Sequence, residues 1–234
     1  MIKIVRNQTI DAETLDVPFN GQIHVIQIEI DDITGRAKEM INDILDTSWI
    51  QKLNPINRIS YNASAKRTID KLVNKIFQKI DDEMTEEFGE YVISMSAQDT
   101  LAETHGHTKI PLAELFKEKV SGNPGFDFHT ESTGAIICFG EAKYSSQTSP
   151  YSDALVQIAS FIDLEKDTIE LANLQNFVTS QASHNAVNGK RAYIAAFSIN
   201  AKLSSTIFKN ALKPKFLSPL SNCQELYLIG AVIK

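Results

Sequence analysis

The stretch "GFDFHTESTGAIICFGEAKY", residues 125–144, sets the tightest limit on how this chain can fold. Side chains of a β-strand point alternately to two faces. In "AIICFG" both alternate sets are apolar, which puts this strand in the middle of a sheet rather than at its edge. Yet the strand ends in Glu141 and Lys143, and the segment before it carries Asp127. Charges in apolar strands carry a desolvation cost, so they need a reason to be there.

The polar residues 131–134, "ESTG", read as the turn of an antiparallel hairpin. Other strands are expected at 22–30, "QIHVIQIEI", where apolar and polar residues alternate, and at 90–97, "EYVISMSA". Two more are expected at 191–199, "RAYIAAFSI", and 225–233, "ELYLIGAVI". Helical spacing appears after Thr34-Gly35, over 64–88, from Pro111 to about Lys119, and from Ser152 to Ile162. It appears again over 167–183 and near 203–212, while Pro55 and its neighbours read as a loop. This order predicts a mixed α/β fold, a central sheet flanked by helices. The chain divides into an N-terminal strand-helix region, 1–100, suited to docking a partner, and a core at 101–234.

The chain holds 29 acidic and 23 basic residues, a net charge of −6. A protein that grips nucleic acid unaided shows a basic surface, and the overall balance here does not. Lys66, Arg67, Lys71, Lys75 and Lys79 gather in the first half of the 64–88 helix, as a solvated face or as a contact face for nucleic acid or an acidic partner. Lys109, Lys117, Lys119, Lys190 and Arg191 suit either a DNA track or ordinary surface charge. No run of eighteen apolar residues suggests a membrane span, and the N-terminus lacks the apolar core of a secretory signal, so the expected compartment is the cytoplasm. Cys138 and Cys223 fit no zinc spacing, and Cys138 reads as a small buried residue. His105 and His107 beside Glu103 suit no helix face and read as loop. Trp49 reads as core.

Glu141 and Lys143 are two apart and share a face with Ile137 and Phe139. The hairpin returns Asp127 to their side, provided the register is right; a slip of one residue would place Asp127 on the other face. Two carboxylates supply hard oxygen ligands to Mg2+ or Mn2+ and leave positions open for water and phosphate. Such a cation acidifies water and stabilises charge on a scissile phosphate. A lysine beside them orients the attacking water and offsets developing charge. The backbone carbonyl of Ala142 is a further candidate ligand. The bland alternative is an exposed ion pair on an edge strand, worth little.

"GFD" followed after a hairpin by "GEAK" resembles the core motif of the PD-(D/E)xK nuclease superfamily, over roughly residues 111–199. Within it, "GFDFH…ICFGEAKYSSQ…SDAL" looks most like the nuclease subunit of Hachiman-type bacterial antiphage systems. The resemblance implies a restriction-endonuclease-like fold and metal-dependent DNA cleavage alongside a helicase partner. It implies Asp127 and Glu141 as metal ligands and Lys143 as the residue that positions the nucleophile. It also implies an acidic residue from the preceding helix, best matched by Glu114, with Glu103 and Glu118 as weaker matches. Gln157, on the helix after the lysine, falls where some members have a polar residue facing the site. His129 shares the face of Asp127 and is either a substrate contact or a structural histidine. Lys109 is the remaining candidate substrate contact. The family's proline is replaced by Gly125 or Phe126. Two rival readings remain: a non-catalytic interaction subunit on the same fold, and a sequence-specific restriction endonuclease.

Overall fold

The computed structural model describes residues 2–76, 84–116, 125–201 and 203–234. Among these, seven strands form one sheet: β1 (Ile2–Ile10), β2 (Gln22–Ile30), β3 (Thr108–Lys109), β4 (Phe128–Glu131), β5 (Ile137–Lys143), β6 (Ala192–Ser198) and β7 (Glu225–Ile233). Their order is β1-β2-β7-β6-β5-β4-β3. The four central strands, β2, β7, β6 and β5, run parallel. Antiparallel pairs finish both sides, β1 with β2 and β4 with β5 and β3. The mixed α/β expectation therefore holds, with β5 in the interior of the sheet and its hairpin antiparallel.

Helices cover both faces. One core lies between the sheet and α5 (Tyr151–Asp163), which buries Ala154, Leu155, Ile158 and Phe161 against Phe139, Tyr193 and Leu228. The other lies under α1 (Ile33–Leu45) and α3 (Glu86–His105) and takes Cys138, Ala142, Ile194 and Ile229. Strands buried on both faces read as near-continuous apolar runs, which is why β6 and β7 were legible from composition.

Residues 90–97 form part of α3, not a strand. A helix buried all round has no polar stripe, so its apolar density cannot be told from that of a strand. Its polar residues are paired inside: Gln98 donates to the carbonyls of Ile110 (2.7 Å) and His129 (2.9 Å), and Arg36 donates to Ser96 Oγ at 3.1 Å. Residue 100 lies within α3, and β2 pairs with β7 along its length, so the first hundred residues supply two strands of the common sheet.

Other boundaries also shift. The helix expected from residue 64 begins as α2 (Pro55–Lys71), because Asn54 caps it, accepting from Asn57 N–H at 2.9 Å, and Pro55 fits the first turn. Lys66, Arg67 and Lys71 lie exposed on α2, whereas Lys79 lies outside the described residues. The 167–183 segment divides into α6 (Lys166–Leu174) and α7 (Ser180–Val187), the latter capped by Thr179. From Pro111 the described helix is α4 (Ala113–Phe116), and its expected continuation, with Lys117, Glu118 and Lys119, lies outside the described residues. Strand β1 leaves only a faint pattern in the sequence, being an edge strand with mostly exposed residues.

The hairpin register pairs Phe128 with Gly140, His129 with Phe139, Thr130 with Cys138 and Glu131 with Ile137. The turn runs over 132–136, against the expected 131–134, and is closed by Ser132 N–H to the Ile136 carbonyl at 2.9 Å. Gly140 is what permits this register. A β-carbon there would lie 2.4 Å from the ring of Phe128, which is fully buried and crosses β5 at that point.

Candidate metal and active site

Extending the register by one pair sets Asp127 opposite Glu141, and Asp127 N–H donates to the Gly140 carbonyl at 2.9 Å. Strand β4 starts just after Asp127. Its carboxylate therefore reaches the free edge of β5 and accepts from Ala142 N–H at 3.0 Å. The N–H and C=O of a strand residue leave by the same edge, so the Ala142 carbonyl emerges beside Asp127. Lys143 Nζ stands 2.8 Å from Glu141 Oε1 and 3.6 Å from Glu90 Oε1. Glu90 arrives from the first turns of α3. Its neighbour Gly89 lets the helix lie against Tyr144, since a β-carbon there would lie 2.2 Å from that ring.

The electrostatics of this group are unusual. Glu141 is 1% exposed; its Oε1 meets the Lys143 ammonium, while Oε2 has no hydrogen-bond partner among the described residues. Burial, then the charge of Asp127, pushes its pKa well above the ordinary 4.5, and Lys143 opposes the shift. Burial also raises Glu90, to about 6, with Lys143 opposing and Asp127 and Glu86 adding to it. For Lys143, burial works against the ammonium, but Glu141, Glu90 and Asp127 outweigh it and the pKa rises. Among the described residues three carboxylates surround the Lys143 ammonium, and the most buried of them has one oxygen, Oε2, that accepts no hydrogen bond. A divalent cation relieves that arrangement, and hard oxygen donors are its preferred ligands. The residues present thus fit the group that the resemblance implies.

The raised pKa of Glu90 makes a prediction about pH. A carboxyl held above its ordinary value in the fold adds stability below pH 4.5, and that contribution is lost as pH rises through about 6. With divalent cations chelated, Glu90→Gln is expected to gain stability relative to the native chain as pH rises from 4.5 past 6. Below pH 4.5 the difference should be flat. Urea unfolding at a series of pH values checks this.

The remaining candidates fall elsewhere. Glu114, on α4, accepts a hydrogen bond from Tyr91 OH. Tyr91 is also within the field of Asp127, so Glu114 borders the site through the phenol, and Glu90 is the helix carboxylate that meets Lys143. Glu90 is hidden in the sequence because its segment has the apolar density of a strand, whereas it lies in α3. His129 is fully buried, with Nε2 2.7 Å from Glu170 Oε2, which is a structural placement. Gln157 is half-buried on α5. Lys109 pairs with Asp99 at 2.6 Å and Asp43 at 3.2 Å. Arg191 is buried, bonded to the Ala186 carbonyl and paired with Asp167 at 3.4 Å.

Trp49 is partly buried and packs on Tyr61 and Phe177, and Cys138 is fully buried. His107, Cys138 and Glu225 bring ligand atoms within 4.8 Å of one another. His107 is already engaged at both nitrogens, by Thr130 Oγ1 at 2.9 Å and Tyr227 OH at 3.0 Å, and Glu103 is exposed.

Among the described residues, no helix is long and apolar enough to cross a membrane. No curated protein and no solved structure matches the chain. The model of the HamA family matches residues 3–218. By that match the chain belongs to the HamA family, the nuclease-like subunit of the Hachiman antiphage system.

Proposed function

We propose that this antiphage defence protein is a divalent-metal-dependent DNA endonuclease of the PD-(D/E)xK type, acting in the cytoplasm with a helicase partner. The observation that carries the reading is the convergence of Asp127, Glu141 and Lys143, with the Glu141 carboxylate buried and its Oε2 without a hydrogen-bond donor among the described residues. Asp127, Glu141 and the Ala142 carbonyl would hold Mg2+ or Mn2+, and Glu90 would add a carboxylate from α3. When bound, the cation supplies Lewis acidity and a more acidic water. Lys143 holds a positive charge beside the carboxylates, where it orients the attacking water and offsets charge on the phosphate. Tyr91 and Glu114 flank the group from α3 and α4. The net charge of −6 suits a subunit whose partner supplies much of the grip on DNA.

The test is a plasmid nicking assay on the chain alone and with its partner, in Mg2+ and in EDTA. Cleavage is expected only with the metal, and Lys143→Ala is expected to lower it by about 100-fold or more. Cleavage that survives EDTA, or that survives this substitution, would overturn the assignment. A complete lack of cleavage with the partner present would favour a non-catalytic docking subunit.

A further inference from the structure

We infer that Glu170, on α6, is a positioning residue that clamps the chain on both sides of Asp127 and so sets the divalent-cation affinity of the site. The inference rests on the metal reading above. Glu170 is 5% exposed and spends its two oxygens on two different residues. Oε1 accepts from the backbone N–H of Phe126 at 3.0 Å, and Oε2 lies 2.7 Å from His129 Nε2. Phe126 and His129 bracket Asp127 in sequence.

The location explains why a clamp is useful. Strand β4 begins at Phe128, so Asp127 lies at the end of the backbone ladder, its own N–H bonded to Gly140. The next N–H outward, on Phe126, is buried and needs an acceptor. Glu170 provides it, and a carboxylate acceptor makes a stronger bond than a neutral one. The same carboxylate holds the His129 ring, which packs edge-on against Phe139 of β5. A ligand displaced by a few tenths of an ångström loses affinity, and groups that hold ligands in place are worth about 10–100-fold.

The experiment is Mn2+ titration of the full chain by calorimetry, with circular dichroism as the check on folding. Glu170→Ala and Glu170→Asp are each expected to weaken Mn2+ binding by about tenfold or more. The aspartate variant keeps the charge but cannot span both partners, and it serves if the alanine variant does not fold. Glu170→Gln retains an acceptor for Phe126 and is expected to recover most of the affinity. Native-like Mn2+ affinity in folded Glu170→Ala or Glu170→Asp would overturn the clamp, leaving Glu170 a purely structural residue. Absence of Mn2+ binding by the native chain would overturn the metal reading and the clamp with it, and it is told apart by the native chain's own titration.

Discussion

Glu141→Gln is expected to abolish metal-dependent cleavage, by about 100-fold or more, and also to make the metal-free protein more stable, by about 1 kcal/mol. The two effects share a cause. The carboxylate is nearly inaccessible, its Oε2 lacks a hydrogen-bond partner among the described residues, and its nearest charges include Asp127 and Glu90. A buried charge in that position costs more than its pairing with Lys143 returns, which is why its pKa rises. An amide keeps the shape and removes the charge. Lys143 retains Glu90 as a partner and is partly open to solvent.

The pH sense follows from the raised pKa. The acid form is favoured in the fold, so the native chain loses stability as pH climbs above 4.5, and its deficit against the variant widens. Mg2+ or Mn2+ should reverse the order by binding the folded native chain, and should leave the variant much less affected. Thermal unfolding at neutral pH with EDTA, then with each cation, measures all of this. A variant less stable than the native chain in EDTA would mean that the Glu141–Lys143 pair is a net support of the fold.

Gly140→Ala is expected to lower stability by about 2 kcal/mol, because a new methyl group would overlap a ring with no free space to enter. The β-carbon would lie 2.4 to 2.6 Å from three atoms of the Phe128 ring, and Phe128 is 0% exposed. For a chain of this size that is a fall of roughly 5 °C in Tm. Cleavage should fall as well, since Phe128 is bonded to Asp127 and can retreat only by shifting the strand that places it. Adding Phe128→Leu makes room, so the double variant should recover part of the lost stability; calorimetric melting of the four proteins gives the coupling. Strict additivity of the two substitutions would show that the ring does not set the hairpin register. Gly89→Ala is expected to be milder, because Tyr144, the ring it meets, is only half-buried and can swing outward.

The family and the central motif were legible because they are local. Alternation along β5 puts Glu141 and Lys143 on one face whatever the rest of the chain does. The apolar runs of β6 and β7 carry their own signals, and the polar residues 131–134 marked the hairpin turn to within two residues. Asp127 belongs to the same reading only once the register is known. Gly140 looked like any strand glycine until the Phe128 ring was seen across it.

Glu90 was beyond the reach of pattern. Residues 91–98 of α3 are all buried, and a segment surrounded by protein shows no polar stripe to mark its period. Its carboxylate reaches Lys143 because Gly89 allows the helix against Tyr144, a contact between distant parts of the chain. Glu114 matched the expected position in sequence, yet its carboxylate is held by Tyr91. His129 and Lys109 looked available by residue type, but burial and ion pairing commit them elsewhere. Sequence by itself determined which residue types lie on one face of β5 and the family to which the chain belongs. Tertiary structure decided which carboxylates gather there and how strongly they are desolvated, because pKa and metal fit depend on neighbours that only the folded chain brings together.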